Sequence, residues 1–202
     1  MRKLTILSAF VLMLSGPVFA GSEGGDADQA RQVVQNLGDQ AVAAARIEDK
    51  EARRRALLEA ATPAVDFRAI GASVLGHAGV KIPGDRQSEV MEGVIAFVSR
   101  QVIGEIERVR PEQAKLGEVK PGGGDEMRVN LKLAGIKDKI DADWVMKKHA
   151  DGWRATDVLV SGNSLVVHFG GQLARKARGE LDQLVDFLRS EQKRDNLAAL
   201  PQ

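Results

Sequence analysis

Trp153-Arg154-Ala155-Thr156-Asp157-Val158-Leu159-Val160-Ser161-Gly162-Asn163-Ser164-Leu165-Val166-Val167-His168-Phe169 is the stretch whose reading decides the fold. A Trp enters it, the apolar run Val158-Leu159-Val160 fills its middle, and Ser161-Gly162-Asn163-Ser164 interrupts it. A β-branched run closed by Gly and Asn is a strand stopping at a turn. Asn163 or Ser164 is then placed to cap a following helix by accepting a backbone N–H bond. No nucleophile elbow, phosphate loop or metal-ligand spacing lies here. The stretch reads as part of a wall, so function must lie in what the wall encloses.

Working upstream, the period of two continues. Met127, Val129, Leu131 and Leu133 alternate with Arg128, Asn130 and Lys132, the pattern of a half-buried strand. Residues 115–120 form a weaker strand, joined to it through Gly122-Gly123-Gly124-Asp125. That triple Gly is not a phosphate loop, because no helix and no Gly-Lys-Ser/Thr follow it. Residues 140–148 make a third strand with Ile140, Ala142, Trp144 and Met146 on one face, and Asp151-Gly152 turns it into the fourth, 153–161. Short turns between four strands predict an antiparallel meander.

Before the strands the period is helical. Helices are expected at about 27–48, at 50–61 ending before Pro63, and over Phe67-Arg68-Ala69-Ile70 to a cap at Gly76. The longest runs over 87–109, with Val90, Val94, Phe97, Val98, Val102, Ile106 and Val109 on a face broad enough to line a cavity as well as a core. Downstream, 172–195 reads as one closing helix whose apolar face is Leu173, Ala177, Leu181, Leu184, Val185 and Leu188. The expected fold is α+β: helices, a curved four-stranded antiparallel sheet and a closing C-terminal helix around an apolar pocket. It forms one domain over 21–202, with 21–28 and 196–202 flexible.

Composition limits the function. Arg2 and Lys3, the apolar run Leu4–Leu14 and Val18-Phe19-Ala20 read as a secretory signal cleaved after Ala20. Its apolar core falls short of the roughly 20 residues a bilayer span needs. The leader holds two of the 29 Lys and Arg and none of the 28 Asp and Glu, which leaves the remainder at a formal −1. Nucleic-acid binding needs a clear excess of cations, so it is excluded. With no Cys there are no disulfides or thiolate metal sites, and aromatics at 4% argue against sugar stacking.

Reactive groupings are absent too. His77, His149 and His168 have no second ligand at metal-binding spacing. Asp141 and Asp143 share one strand face and could pair as carboxylates, but Arg128 and Lys132 stand opposite, which favours cross-strand ion pairs. Asp157, an acid in a mostly apolar strand, is either a general base or, the favoured reading, a partner for backbone N–H groups at a helix end. Arg53-Arg54-Arg55 reads as a solvated helix face rather than a headgroup contact, and Ala41–Ala45 as close packing.

With its segments in place the chain resembles the MlaC/toluene-tolerance family of periplasmic phospholipid-binding proteins, which includes hopanoid-associated relatives. Three passages carry the likeness. Phe67-Arg68-Ala69-Ile70 with Val74-Leu75-Gly76 is similar to the family's early helix ending in Leu-Gly, and 86–109 to its long helix. Trp153-Arg154-Ala155-Thr156-Asp157-Val158 with Gly162, Ser164, Leu165 and Val166 is similar to its Trp-x-x-x-Asp-Val and Gly-x-Ser-Leu signature. The chain departs from the pattern twice. His77-Ala78-Gly79 stand where an aromatic is usual, and Phe169-Gly170-Gly171 where a Tyr-Arg pair is usual.

The resemblance implies a non-enzymatic carrier that holds the acyl chains of a phospholipid, or a hopanoid-type lipid, in an apolar pocket without a cofactor. It implies exchange with an inner-membrane ABC transporter complex and an outer-membrane lipoprotein complex. Candidate lining positions are Val74, Leu75, Phe97, Val98, Val102, Val129, Leu131, Trp144, Met146, Val158, Val160, Leu165 and Val167, each open to the plainer reading of core. Arg175, Lys176 and Arg178 are candidates for the pocket mouth or for a solvated face. The alternatives are a small cone-fold isomerase or hydrolase using Asp157, and a binding module without lipid.

Overall fold

Side-chain caps and left-handed residues set the helix boundaries. The computed structural model describes residues 23–194, and the leader at 1–20 and the tail at 196–202 lie outside that range. Helix α1 (Glu23–Ala45) begins before the expected Ala27, so the segment expected to be a flexible leader is helical from Glu23. Asp26 there reaches Lys148 at 2.6 Å. Helix α2 (Lys50–Ala61) opens on Asp49, which accepts from the Ala52 N–H at 2.7 Å, and stops before Pro63. Helix α3 (Phe67–Ala78) opens on Asp66, which accepts from Ala69 at 2.8 Å, and ends on Gly79 at φ 67°. Helix α4 (Gln87–Val109) ends at left-handed Arg110, ahead of Pro111.

The strands follow as β1 (Gln113–Pro121), β2 (Glu126–Ala134), β3 (Lys139–His149) and β4 (Gly152–Val160). A two-residue strand β5 (Asn163–Ser164), too short to leave a pattern, makes the antiparallel sheet five-stranded in sequence order rather than four-stranded. The sheet is one-sided. Val129, Leu131, Leu133, Ala142, Trp144, Met146, Trp153 and Ala155 are buried under the helices, while Arg128, Lys132 and Asp141 face water. Two bulges bend it, one at Gly117-Glu118 in β1 and one at Thr156 in β4. The connection between α2 and α3 docks on β4, where the Ala155 N–H donates to the Ala64 carbonyl at 2.8 Å and Asp66 N–H donates to the Ala155 carbonyl at 2.9 Å.

The closing helix is two helices. Helix α5 (Leu165–Ala177) starts earlier than expected, and α6 (Leu181–Arg194) is separate. Between them Arg178 (φ 49°) and Gly179 (φ 84°) are both left-handed, which a right-handed helix cannot absorb. Phe97 of α4 is 1% exposed and meets Phe169 and Phe187 edge-on, with ring centroids 5.7 and 5.6 Å apart. Helices α3 and α5 approach closely through Gly170, where an added Cβ would overlap His77 Cβ and lie 3.0 Å from the Val74 carbonyl oxygen. Gly170→Ala is therefore expected to lower stability by about 1–3 kcal/mol in urea denaturation. Helix propensity alone favours Ala by about 1 kcal/mol, so a measured loss isolates the crowded contact.

Candidate functional site

Between the helices and the sheet the packing leaves an enclosed apolar cavity of about 30 Å³. Leu37 and Ala41 of α1 border it, as do Leu57, Ala60 and Ala61 of α2 and Val65 of the following connection. Phe67 and Ile70 of α3 and Val98, Ser99, Val102, Ile103 and Ile106 of α4 add to the wall, and Trp144 of β3 and Val158 of β4 form its floor. Small side chains at Ala41, Ala60 and Ala61 leave the room. Ser99 is the one hydroxyl, and it donates back to the Ile95 carbonyl at 2.8 Å. No charged residue lines the space.

Four of the thirteen expected lining residues, Val98, Val102, Trp144 and Val158, meet at this cavity. Val74, Phe97, Val129, Leu131 and Met146 are buried in the core outside it, and Leu75, Val160 and Leu165 are half-buried against that core. Val167 is 53% exposed on the outer side of α5. Arg175, Lys176 and Arg178 border a separate open depression with Gln183 and Asp186, and neither α5 nor α6 reaches the cavity. The walls from α1 and α2 went unread because Ala-rich helix faces look the same whether a neighbour fills them or leaves a gap.

The seam between α2 and α4 is closed by ions. Glu107 of α4 lies 3.4 Å from Arg53 and 2.5 Å from Arg54, and all three side chains are largely shielded from water. Arg53 also donates to the carbonyls of Ile47 and Glu48 at 2.7 and 3.0 Å. The expected solvated arginine face holds only for Arg55, because the other two turn toward α4. The clamp sits one helical turn from Leu57 and Ile103, which line the cavity.

A larger concavity of about 610 Å³ lies elsewhere, bordered by Arg46, Arg108, Arg110, Glu112 and Lys137 with Ile136 beside them. Charged residues stand around it and it opens to solvent, which makes it a poorer shelter for hydrocarbon than the inner cavity.

The MlaC protein family matches residues 28–190. The chain belongs to that family. Among solved structures, a phospholipid-binding protein from Ralstonia solanacearum in complex with a phospholipid superposes with a TM-score of 0.64 at 20% identity, over 82% of this chain and 98% of that one. At that identity the likeness is one of fold. Comparison with curated proteins gives no match. The two stretches read above as departing from the pattern of the MlaC family meet in space, since Gly170 of α5 is the residue packed on His77 of α3.

The remaining polar candidates of this MlaC-family chain have structural partners. Asp157 Oδ1 accepts from the Val158 and Val166 N–H groups at 2.7 and 3.1 Å, and Oδ2 accepts from the Ser164 hydroxyl at 2.5 Å. Ser164 in turn accepts from Val167 at 3.1 Å, which makes it the α5 cap. Asp157 thus fastens a helix end, as the favoured reading had it. Asp141 and Asp143 each accept from the Asn130 amide at 2.8 Å, and Lys132 pairs with Asp141 at 3.0 Å. The Asn130 bond, and then Lys132, hold the Asp141 carboxyl below its ordinary range. A proton-sharing pair would instead raise one carboxyl. Arg128 stands opposite Val145, so it is not the partner of Asp143. Among the described residues no His, Asp and Glu cluster could hold a metal, and no helix is long and apolar enough to cross a membrane.

Proposed function

We propose that this protein is a non-enzymatic periplasmic carrier that takes lipid acyl chains into the cavity between α2, α4 and the sheet. In this reading it is exported on the leader at residues 1–20. It exchanges cargo with an inner-membrane ABC transporter complex and an outer-membrane lipoprotein complex. The observation that carries the reading is the enclosed, wholly uncharged cavity in a chain of the MlaC family. A phospholipid bound in the Ralstonia solanacearum protein of similar fold supports it. Each CH₂ hidden from water contributes about 0.8 kcal/mol, so chains crossing an aqueous space need such a shelter.

At about 30 Å³ the cavity as it stands is smaller than an acyl chain. It has room for roughly one water, whereas ligand sites run to about 300–1,000 Å³, so the walls must part for cargo to enter. Protein purified from cells without detergent tests the reading. A native mass exceeding the denatured mass by one lipid, recovered in an organic extract, is the expected result. A bare native mass, with no uptake from added phospholipid vesicles, would overturn it. Ala60→Phe is expected to abolish loading while costing only about 1–3 kcal/mol of stability from overpacking. Undiminished loading of that variant would place the chains elsewhere.

A further inference from the structure

The open concavity of about 610 Å³ lies where α1 and α4 both end. Ala41 of α1 borders the inner cavity and Ala45 the concavity, and Ile106 and Val109 of α4 divide in the same way. Spacings of four and three residues place the two hollows one helical turn apart along the same pair of helices. Ile136, in the loop between β2 and β3, stands beside the concavity at 83% exposure, the most exposed large apolar side chain among the described residues. Such loops ordinarily carry small or polar residues. This one is pinned, so it cannot fold the side chain away. The Gly135 N–H donates to the Asp138 carbonyl at 2.9 Å, Asp138 pairs with Arg108 at 2.7 Å, and a Cβ on Gly135 would collide with the Val109 carbonyl. Arg46, Arg110 and Lys137 border the same hollow, all exposed. Arg110 donates to the Ala45 carbonyl at 3.2 Å, and none of the three pairs with an acid among the described residues. Arg108 is matched by Glu105 and Asp138, which leaves Glu112 as the one acid of the lining. An apolar tip among unpaired cations suits an anionic bilayer interface, where apolar atoms reach the acyl boundary and cations meet phosphates. We infer that this corner docks on the surface of an anionic phospholipid bilayer, with Ile136 in the interface and Arg46, Arg110 and Lys137 on headgroup phosphates. A fluid interface accepts one protruding side chain without a matching pocket, which a folded partner would have to supply. The docking stands apart from the carrier reading. Joined to it, the docking turns the ends of α1 and α4 nearest the inner cavity toward the membrane.

The test is cosedimentation with vesicles at low salt. Wild type is expected to pellet with vesicles of phosphatidylcholine and phosphatidylglycerol in equal parts, and to stay in solution with phosphatidylcholine alone. Added salt is expected to release it. Ile136→Ser is expected to weaken binding about tenfold, the share of one isoleucine leaving water. Arg46→Gln/Lys137→Gln is expected to weaken it about 25-fold, since each cation near such a surface contributes about fivefold. Arg128→Gln/Lys147→Gln removes the same charge from the opposite end of the sheet and is expected to leave binding within about twofold. All five side chains are exposed, and thermal midpoints equal to wild type check that the variants fold. Corner variants that bind like wild type, an equal loss in the distant pair, or a wild type that ignores anionic vesicles would each overturn the inference. The last result would leave the corner to a protein partner. Lipid carried by the protein in the supernatant is measured in the same samples. Loading without anionic preference overturns the docking alone, and docking without loading overturns the carrier reading alone.

Discussion

Glu107→Ala is expected to lower the unfolding free energy by about 3–5 kcal/mol. For a domain of this size that is a drop of roughly 6–20 °C in the thermal midpoint. The reason is the burial of its partners. Arg53 is 8% exposed, and without Glu107 its charge keeps only the Ile47 and Glu48 carbonyls as acceptors. A salt bridge whose ions are both shielded contributes little net stability, but removing one ion strands the other. The triple variant Arg53→Met/Arg54→Met/Glu107→Leu is therefore expected to recover part of the loss, because it removes the charges together. If the single variant were as stable as wild type, the arginines would be hydrated and the seam open. Lipid exchange gives a second reading. If the proposed cavity is the lipid site, α2 is freer to leave α4 once the clamp is gone, and lipid is then expected to load and unload faster from vesicles.

Asp157→Ala is expected to cost about 3 kcal/mol, since hydrogen bonds to a charged acceptor contribute about 1.5–3 kcal/mol each and the three here are not additive. The loss has a location. Val158 and Val166 lose their acceptor and Ser164 loses the group that orients it, so the first turn of α5 should exchange its amide hydrogens faster. Asp157→Asn keeps an oxygen for the two N–H groups and is expected to cost about 1 kcal/mol, the typical worth of one bond. A catalytic Asp157 would behave differently, with stability intact and an activity lost in the Asn variant. Urea denaturation of the two variants separates these outcomes.

The strands were legible because the sheet is one-sided. Val129, Leu131 and Leu133 turn inward while Arg128 and Lys132 face water, and a period of two follows directly. The break at Arg178 was hidden because apolar residues at 173, 177, 181, 184, 185 and 188 keep helical spacing straight through it. The burial of Arg53 and Arg54 was hidden for another reason. Their partner Glu107 is 53 residues from Arg54, and no local pattern encodes that distance. Phe97 shares a helix face with Val98, and its edge-on contacts with Phe169 and Phe187, far along the chain, leave no local signal. Periodicity tells which face of an element turns inward. It does not tell whether the neighbour fills the space, and four of the thirteen expected positions border this cavity.

The kink in β1 bears on how copies of this chain meet. One margin of the sheet is occupied by β5 and by the α2–α3 connection at Ala155, but among the described residues β1 pairs only with β2. A bare strand can template another chain. Here its exposed residues include Lys115, Glu118 and Lys120, and it finishes at Pro121, which has no N–H to offer. At Gly117 the backbone presses on Asn130 so closely that a Cβ would collide with the amide. A second copy adding edge to edge would have to flatten that kink against the Asn130 side chain and bring lysines together. If the chain is the carrier proposed above, it must remain dispersed while hiding hydrocarbon, and this margin lets crowded copies slide past one another without knitting into a common sheet.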